Sequence, residues 1–182
     1  MESSSQNASV VTECLRAWNP QATAEVIAYR GETTIVVPRE LLRATAERCR
    51  EDAALQFNLI TDATCVDRYP VEPRFELNYH LVSIPRRDRV RLRVRVSGND
   101  PVVDSLVPVW PGANWLEREI FDLFGIRFNG HPDLRRIPVA LIVRHLAQIA
   151  KDEKTKIDEA ALYAIARGAE GCMRDAESAL DQ

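Results

Sequence analysis

The most constraining stretch of this sequence is Arg89–Val96, Arg-Val-Arg-Leu-Arg-Val-Arg-Val, where charged and aliphatic residues alternate without a break. Successive side chains of an extended strand point to opposite faces, so this order puts Val90, Leu92, Val94 and Val96 on one side and four arginines on the other. A helix would scatter both sets around its circumference. The segment therefore has to be a strand in a sheet with one apolar and one polar face. Four like charges in a row repel unless they are solvated or faced by acid. Two readings stay open: a solvated sheet face, or a docking surface for an acidic partner or nucleic acid phosphate. No aromatic residue interleaves with the arginines, which argues against a stacking platform for RNA or single-stranded DNA.

The flanking sequence supplies the other layers. Asn19-Pro20 can cap and open a short helix over residues 20–30, stopped by Gly31. Thr33–Val37 is β-branched and predicts a strand, and Pro38 opens a helix on which Leu41, Leu42, Thr45 and Cys49 share a face. Ala54–Cys65 and Arg74–Ile84 predict strands either side of a turn-rich Asp67–Pro73, and Pro101–Val109 and Asn114–Phe124 predict two short helical pieces. The expectation is an α+β fold with a mixed or antiparallel sheet and flanking helices, followed by an all-helical C-terminal segment. The serine-rich residues 1–18 are expected to be a disordered leader.

Composition narrows the function. With 46% apolar and 28% charged residues and a net charge of −3, the chain reads as globular, with no general drive toward nucleic acid or anionic lipid. Cysteines at 14, 49, 65 and 172 form no metal-ligand spacing. No GxGxxG or GxxxxGK[ST] loop occurs, which removes the dinucleotide and P-loop readings.

Past Pro138 the vocabulary changes. All three lysines (Lys151, Lys154, Lys156) lie there, no proline does, and ten of the residues from 139 onward are alanine. Helices are expected over Ala140–Ala150, from the cap Asp158 to Gly168 or Gly171, and from Met173.

The densest chemistry lies in Trp115–Ile137, WLEREIFDLFGIRFNGHPDLRRI. Glu117, Arg118, Glu119 and Asp122 crowd one helix; Arg118 and Asp122 suit an i,i+4 ion pair, and Glu119 with Asp122 could form a carboxylate pair for acid–base work. Beside aromatic anchors, such charges more often make an ion-paired surface that a partner covers. Gly125 can end the helix, Gly130 permits a tight turn, and Pro132-Asp133 can begin another helix. His131, in a Gly-His-Pro loop, is a structural hydrogen-bonder before it is a base or ligand, because no second ligand stands near it.

The run from Trp110 to Ile137, with Asn78-Tyr79-His80-Leu81-Val82-Ser83 and the Arg/Val strand, resembles the small hydrophilic C subunit of respiratory complex I, the proton-pumping NADH:quinone oxidoreductase. The resemblance covers residues 20–137 and implies a non-catalytic subunit on the cytoplasmic side of an inner membrane. It would pack on the larger D subunit and other peripheral-arm subunits near the quinone site, with no direct nucleic acid contact and no membrane insertion. NADH, FMN, iron–sulfur clusters and quinone would belong to the complex, and none to this chain. Related subunits occur in membrane-bound hydrogenases. For Glu117, Arg118, Glu119, Asp122, Gly125, Gly130, His131, Pro132, Asp133, Arg135 and Arg136 the resemblance implies interface and loop architecture, with no catalytic, cofactor or metal role. From Ile137 to Gln182 the chain instead resembles the lid of the bacterial DNA polymerase III γ/τ clamp loader, in which the arginine matching Arg174 senses nucleotide. No P-loop precedes it here, so nucleotide binding is not expected. The chain divides into a leader (1–18), a truncated domain like the complex I C subunit (19–137) and a clamp-loader lid-like segment (138–182), with a clamp-loader fragment as the rival reading of function and a related subunit of a membrane-bound hydrogenase complex as the third.

Overall fold

The computed structural model describes residues 2–23, 25–135, 138–153, 155, 157–169 and 173–180. Five strands form the main sheet: β1 (Glu25–Tyr29), β2 (Glu32–Val36), β3 (Leu59–Asp67), β4 (Phe75–Ser83) and β5 (Asp88–Val96), in the order β1-β2-β5-β4-β3. Every neighbour is antiparallel except β2 and β5, which run parallel with Ile35 opposite Leu92. The mixed α+β architecture read from the sequence is therefore the one the chain adopts, with its helical C-terminal segment.

The alternation of β5 is realised residue by residue. Val90, Leu92, Val94 and Val96 are buried and meet Leu81, Tyr79, Leu77 and Phe75 across the β4 ladder. Helices α1 (Glu2–Trp18), α2 (Leu42–Glu51) and α3 (Ala113–Phe124) cover this face, contributing Val11, Leu15, Leu42, Ala46, Cys49, Ala113 and Ile120 to one core. The opposite face carries Arg89, Arg91, Arg93 and Arg95.

Four expectations fail, each for a physical reason. Residues 2–18 are a helix, not a disordered leader, because Val11 and Leu15 lie four apart and bury against the sheet, with Val10 and Cys14 beside them. Only Pro20–Thr23 forms a helical turn, a 3₁₀ one; Glu25–Tyr29 is a strand, because Arg30 and Gly31 both take positive φ (49° and 81°) and close a two-residue hairpin onto β2. Gly31 thus turns a hairpin where the sequence suggested a helix stop. Residues 54–58 precede β3 instead of belonging to it. Pro101–Val109 is not helical: Val102–Asp104 (β6) pairs in parallel with Arg127–Asn129 (β7) as a small second sheet.

The C-terminal helices α4 (Val139–Asp152), α5 (Glu159–Gly168) and α6 (Met173–Leu180) match the expected positions. Asp158 caps α5 by accepting from the Ala161 N–H at 2.6 Å. Their core, Ile142, Val143, Leu146, Leu162, Ala166, Ala169 and Ala176, is separate from that of the sheet. Alanine at three of those positions lets the helices approach closely. No helix among the described residues is long and apolar enough to cross a membrane.

Candidate functional site

Helix α3 holds most of the residues singled out by the sequence. Its buried stripe runs Ala113, Glu117, Ile120, with Phe124 half-buried one turn on. A glutamate thus occupies a core position, and it is fully buried. Its Oε1 accepts the Leu106 N–H and its Oε2 the Ser105 hydroxyl, both at 2.6 Å, so the side chain ties α3 to the turn that follows β6. Burial pushes the Glu117 carboxyl up to about 7, against the pull of those two donors. The buried Tyr79 phenol lies close enough for the Glu117 charge to add to the upward shift that burial imposes on it. Tyr79 Oη has no hydrogen-bond partner among the described residues.

Arg118 also turns inward. It is 3% exposed, donates from Nε to the Arg135 carbonyl at 3.0 Å, stacks its guanidinium over Trp115 at 5.0 Å, and lies 4.0 Å from Asp133. Where the sequence suggested an i,i+4 pair with Asp122, these contacts direct the Arg118 guanidinium to Trp115 and the loop after Gly130. Glu119 and Asp122 are half-buried and each engaged in contacts of its own. Glu119 lines a cavity of about 660 Å³ with Trp115, Leu141, Arg144 and Glu177, a lining that does not include Asp122.

The loop after β7 is pinned to the same helix. The His131 side chain is fully buried; its Nδ1 accepts the Asp133 N–H at 3.0 Å, so Nδ1 carries no proton, and Nε2–H donates to the Asn114 carbonyl at 3.2 Å. This fixes one neutral tautomer, and burial lowers the His131 pKa further. Nε2 also lies 4.0 Å from Glu117. Histidine therefore acts as a structural hydrogen-bonder. Gly125 ends α3 with φ 70° and Gly130 follows β7 with φ 74°, both conformations that suit glycine. Pro132 and Asp133 form a turn and not the start of a helix, because Asp133 is used by His131 and by Arg135, which it meets at 2.7 Å. Arg136 lies outside the described residues. Arg174 falls on α6.

Three of the four arginines on the polar face of β5 are met by acids from within the chain. Arg91 bonds Glu32 at 2.6 Å, Arg95 meets Glu25 at 2.8 Å, and Glu76 sits among Arg68 (2.8 Å), Arg95 (3.6 Å) and Arg93 (3.8 Å). Burial opposes ionisation of Glu76, but the Arg68 hydrogen bond and the three guanidinium charges outweigh it and hold the carboxyl below its ordinary value. Strands β1, β2 and β4 thus supply the acid from within the chain. The partner glutamates were present in the sequence, but only strand order and register place them opposite β5. Among the described residues, no group of three or more His, Cys, Asp or Glu side chains could hold a metal ion.

Comparison with known proteins agrees with this architecture. A family model described as respiratory-chain NADH dehydrogenase, 30 kDa subunit, matches residues 35–141. The C subunit of the NADH-quinone oxidoreductase of Geotalea uraniireducens is 45% identical over 113 residues, 62% of this chain and 68% of that protein. Its counterpart in Geobacter sulfurreducens is 48% identical over 114 residues, 62% of this chain and 69% of that protein. Among solved structures, a trypsin-resistant fragment of Nqo5 superposes with a TM-score of 0.58 at 34% identity, covering 66% of this chain and 98% of the fragment. A chain of the membrane-bound sulfane sulfur reductase, an archaeal respiratory membrane complex, shares the fold, with a TM-score of 0.57 at 24% identity over 66% of this chain and 69% of the other. Residues 141–182 match a second model, the ATPase lid domain of a DNA polymerase III clamp loader subunit. Through the region that holds most of the main sheet and the α3 signature, the chain belongs to the family of the respiratory-chain NADH dehydrogenase 30 kDa subunit.

Proposed function

We propose that this chain is a non-catalytic subunit of the peripheral arm of a proton-translocating NADH:quinone oxidoreductase, packed on the D subunit near the quinone site. The observation that carries this reading is the use made of the α3 signature. Glu117, Arg118 and His131 are spent on holding two loops against one helix, and none is directed at a cleft where a substrate could sit. Such a bracket suits a subunit whose task is to present a shaped surface. In this reading NADH, flavin, iron–sulfur clusters and quinone are held by other subunits. The chain sits on the cytoplasmic side of the inner membrane through its partners. Glu119, Asp122, Pro132 and Arg135 contribute to interface and loop architecture.

A second reading rests on the separate core of α4–α6 and on the lid match over residues 141–182: the tail is a clamp-loader fragment that binds sister subunits. The first reading covers the larger part of the chain, and we adopt it. Affinity purification of the tagged chain from a cell that expresses complex I tests the choice. Recovery of the D subunit with other peripheral-arm subunits is the expected outcome; recovery of clamp-loader subunits alone would overturn it. Recovery of hydrogenase subunits in place of both would move the chain to the related hydrogenase assemblies.

A further inference from the structure

The ion pairing of the sheet's polar face stops at one end. There the β1–β2 hairpin turn and the β4–β5 turn border a cavity of about 570 Å³ lined by Arg30, Arg87, Arg89 and Arg91, with only Glu32 and Asp88 as acids. Glu32 is committed to Arg91. Arg30, Arg87 and Arg89 are exposed and make no ion pair among the described residues, whereas Arg91, Arg93 and Arg95 on the same strand all do. Asp88 does not compensate them: its Oδ1 is taken by the Arg89 N–H at 2.8 Å, its Oδ2 is buried without a partner, and burial raises its pKa. The Arg91 Nε is likewise buried and unpartnered at the cavity. His80, the other titratable lining group, is pushed toward its neutral form by burial and by Arg91.

The surroundings favour a peptide over a small anion. Among the described residues β1 is an edge strand, paired on one side only, and its last residue adjoins Arg30 of the cavity lining. Tyr29, next to Arg30, is 66% exposed, and Ile84, in the β4–β5 turn, is 60% exposed. Extended peptide backbone, carboxylates and a few apolar side chains would answer all three features at once. We infer that this cavity binds an acidic peptide segment of a neighbouring subunit, its carboxylates taken by Arg30, Arg87 and Arg89. The identity of that neighbour rests on the function proposed above; the preference for acidic peptide does not.

The test uses the full chain and a fluorescein-labelled octapeptide rich in glutamate, followed by anisotropy at low salt. Saturable binding that weakens as salt rises is expected, and Arg87→Ala/Arg89→Ala should weaken it at least tenfold. Arg50→Ala, which removes an exposed arginine on α2, should leave it within twofold. Thermal unfolding of each variant establishes that it is folded; if the double variant is not, Arg30→Ala alone carries the test, with a threefold or greater loss expected. Absence of peptide binding, equal weakening by Arg50→Ala, or displacement by pyrophosphate at concentrations equal to the peptide would each overturn the inference. Because no partner subunit is present in this assay, its failure is distinct from failure to recover the D subunit.

Discussion

Glu117 couples the packing of α3 to proton binding. An exposed glutamate ionises near 4.5, whereas this one does so at about 7 in the folded chain. The folded state therefore holds a proton that the unfolded chain releases between those values. The stabilisation from this group is complete below pH 4.5, falls as pH rises toward 7, and stays low beyond. Glu117→Gln mimics the protonated acid: its amide can donate to Ser105 Oγ while its oxygen accepts from Leu106. Chemical unfolding from pH 4 to 8 should show a shallower fall in stability for this variant than for the parent; an unchanged slope would count against the role given to the carboxyl. Glu117→Ala should cost more at every pH, because it strands the Leu106 N–H and the Ser105 hydroxyl at about 1–3 kcal/mol each. The stripe Ala113-Glu117-Ile120-Phe124 could have revealed Glu117 from sequence, since it places an acid where the core takes apolar residues. Arg118 offered no such signal. Its neighbours Arg135 and Asp133 lie more than a dozen residues away, and only the loop's return makes them its partners.

At the scale of the element, the polar face of β5 is a lesson in strand order. Alternation was legible because a period of two has one structural meaning. What faced the arginines was not, because Glu25, Glu32 and Glu76 come from three other strands. Glu76 is the hub of this network. Its carboxyl is held below its ordinary value, so its stabilisation is present above pH 4.5 and lost as pH falls through the lower, folded value. Glu76→Gln should cost about 1 kcal/mol near pH 7, the low end for a buried group because the freed Arg68 and Arg95 can be rehydrated. The difference from the parent should shrink as the pH of a urea titration is lowered toward 3. An equal difference at both ends would show that Glu76 acts through shape and not charge. The hairpin β1–β2 was missed for a related reason: Pro20 and Gly31 are each good helix punctuation, and the positive φ of Arg30 has no mark in the sequence. Strands β6 and β7 are three residues long, too short to show any period.

Over the whole molecule, the change in composition past Pro138 and the break between two cores fall at the same place. A chain ending at Pro138 should therefore keep the cooperative unfolding of the sheet domain, with a midpoint within about 4 °C of the full chain's, because no residue of its core is removed. Loss of cooperativity in differential scanning calorimetry would show that α4–α6 support the sheet. The two-layer architecture and the helical tail were legible because each rests on long periodic segments. The helical start at residue 2 was not, since its apolar stripe begins only at Val10.

The parallel pairing of β2 with β5 also sets a timetable. Thr34 must wait for Arg91, 57 residues later, before β2 gains its second neighbour. At roughly 5–20 residues per second of synthesis, the β1–β2 hairpin stays half-paired for about 3–11 s on each growing chain. Ile35, which the finished sheet hides completely, has Val26 on one side but lacks Leu92 on the other during that interval. The moment of greatest exposure for this protein is thus a stage of its birth at the ribosome, decided by the order in which its strands are written.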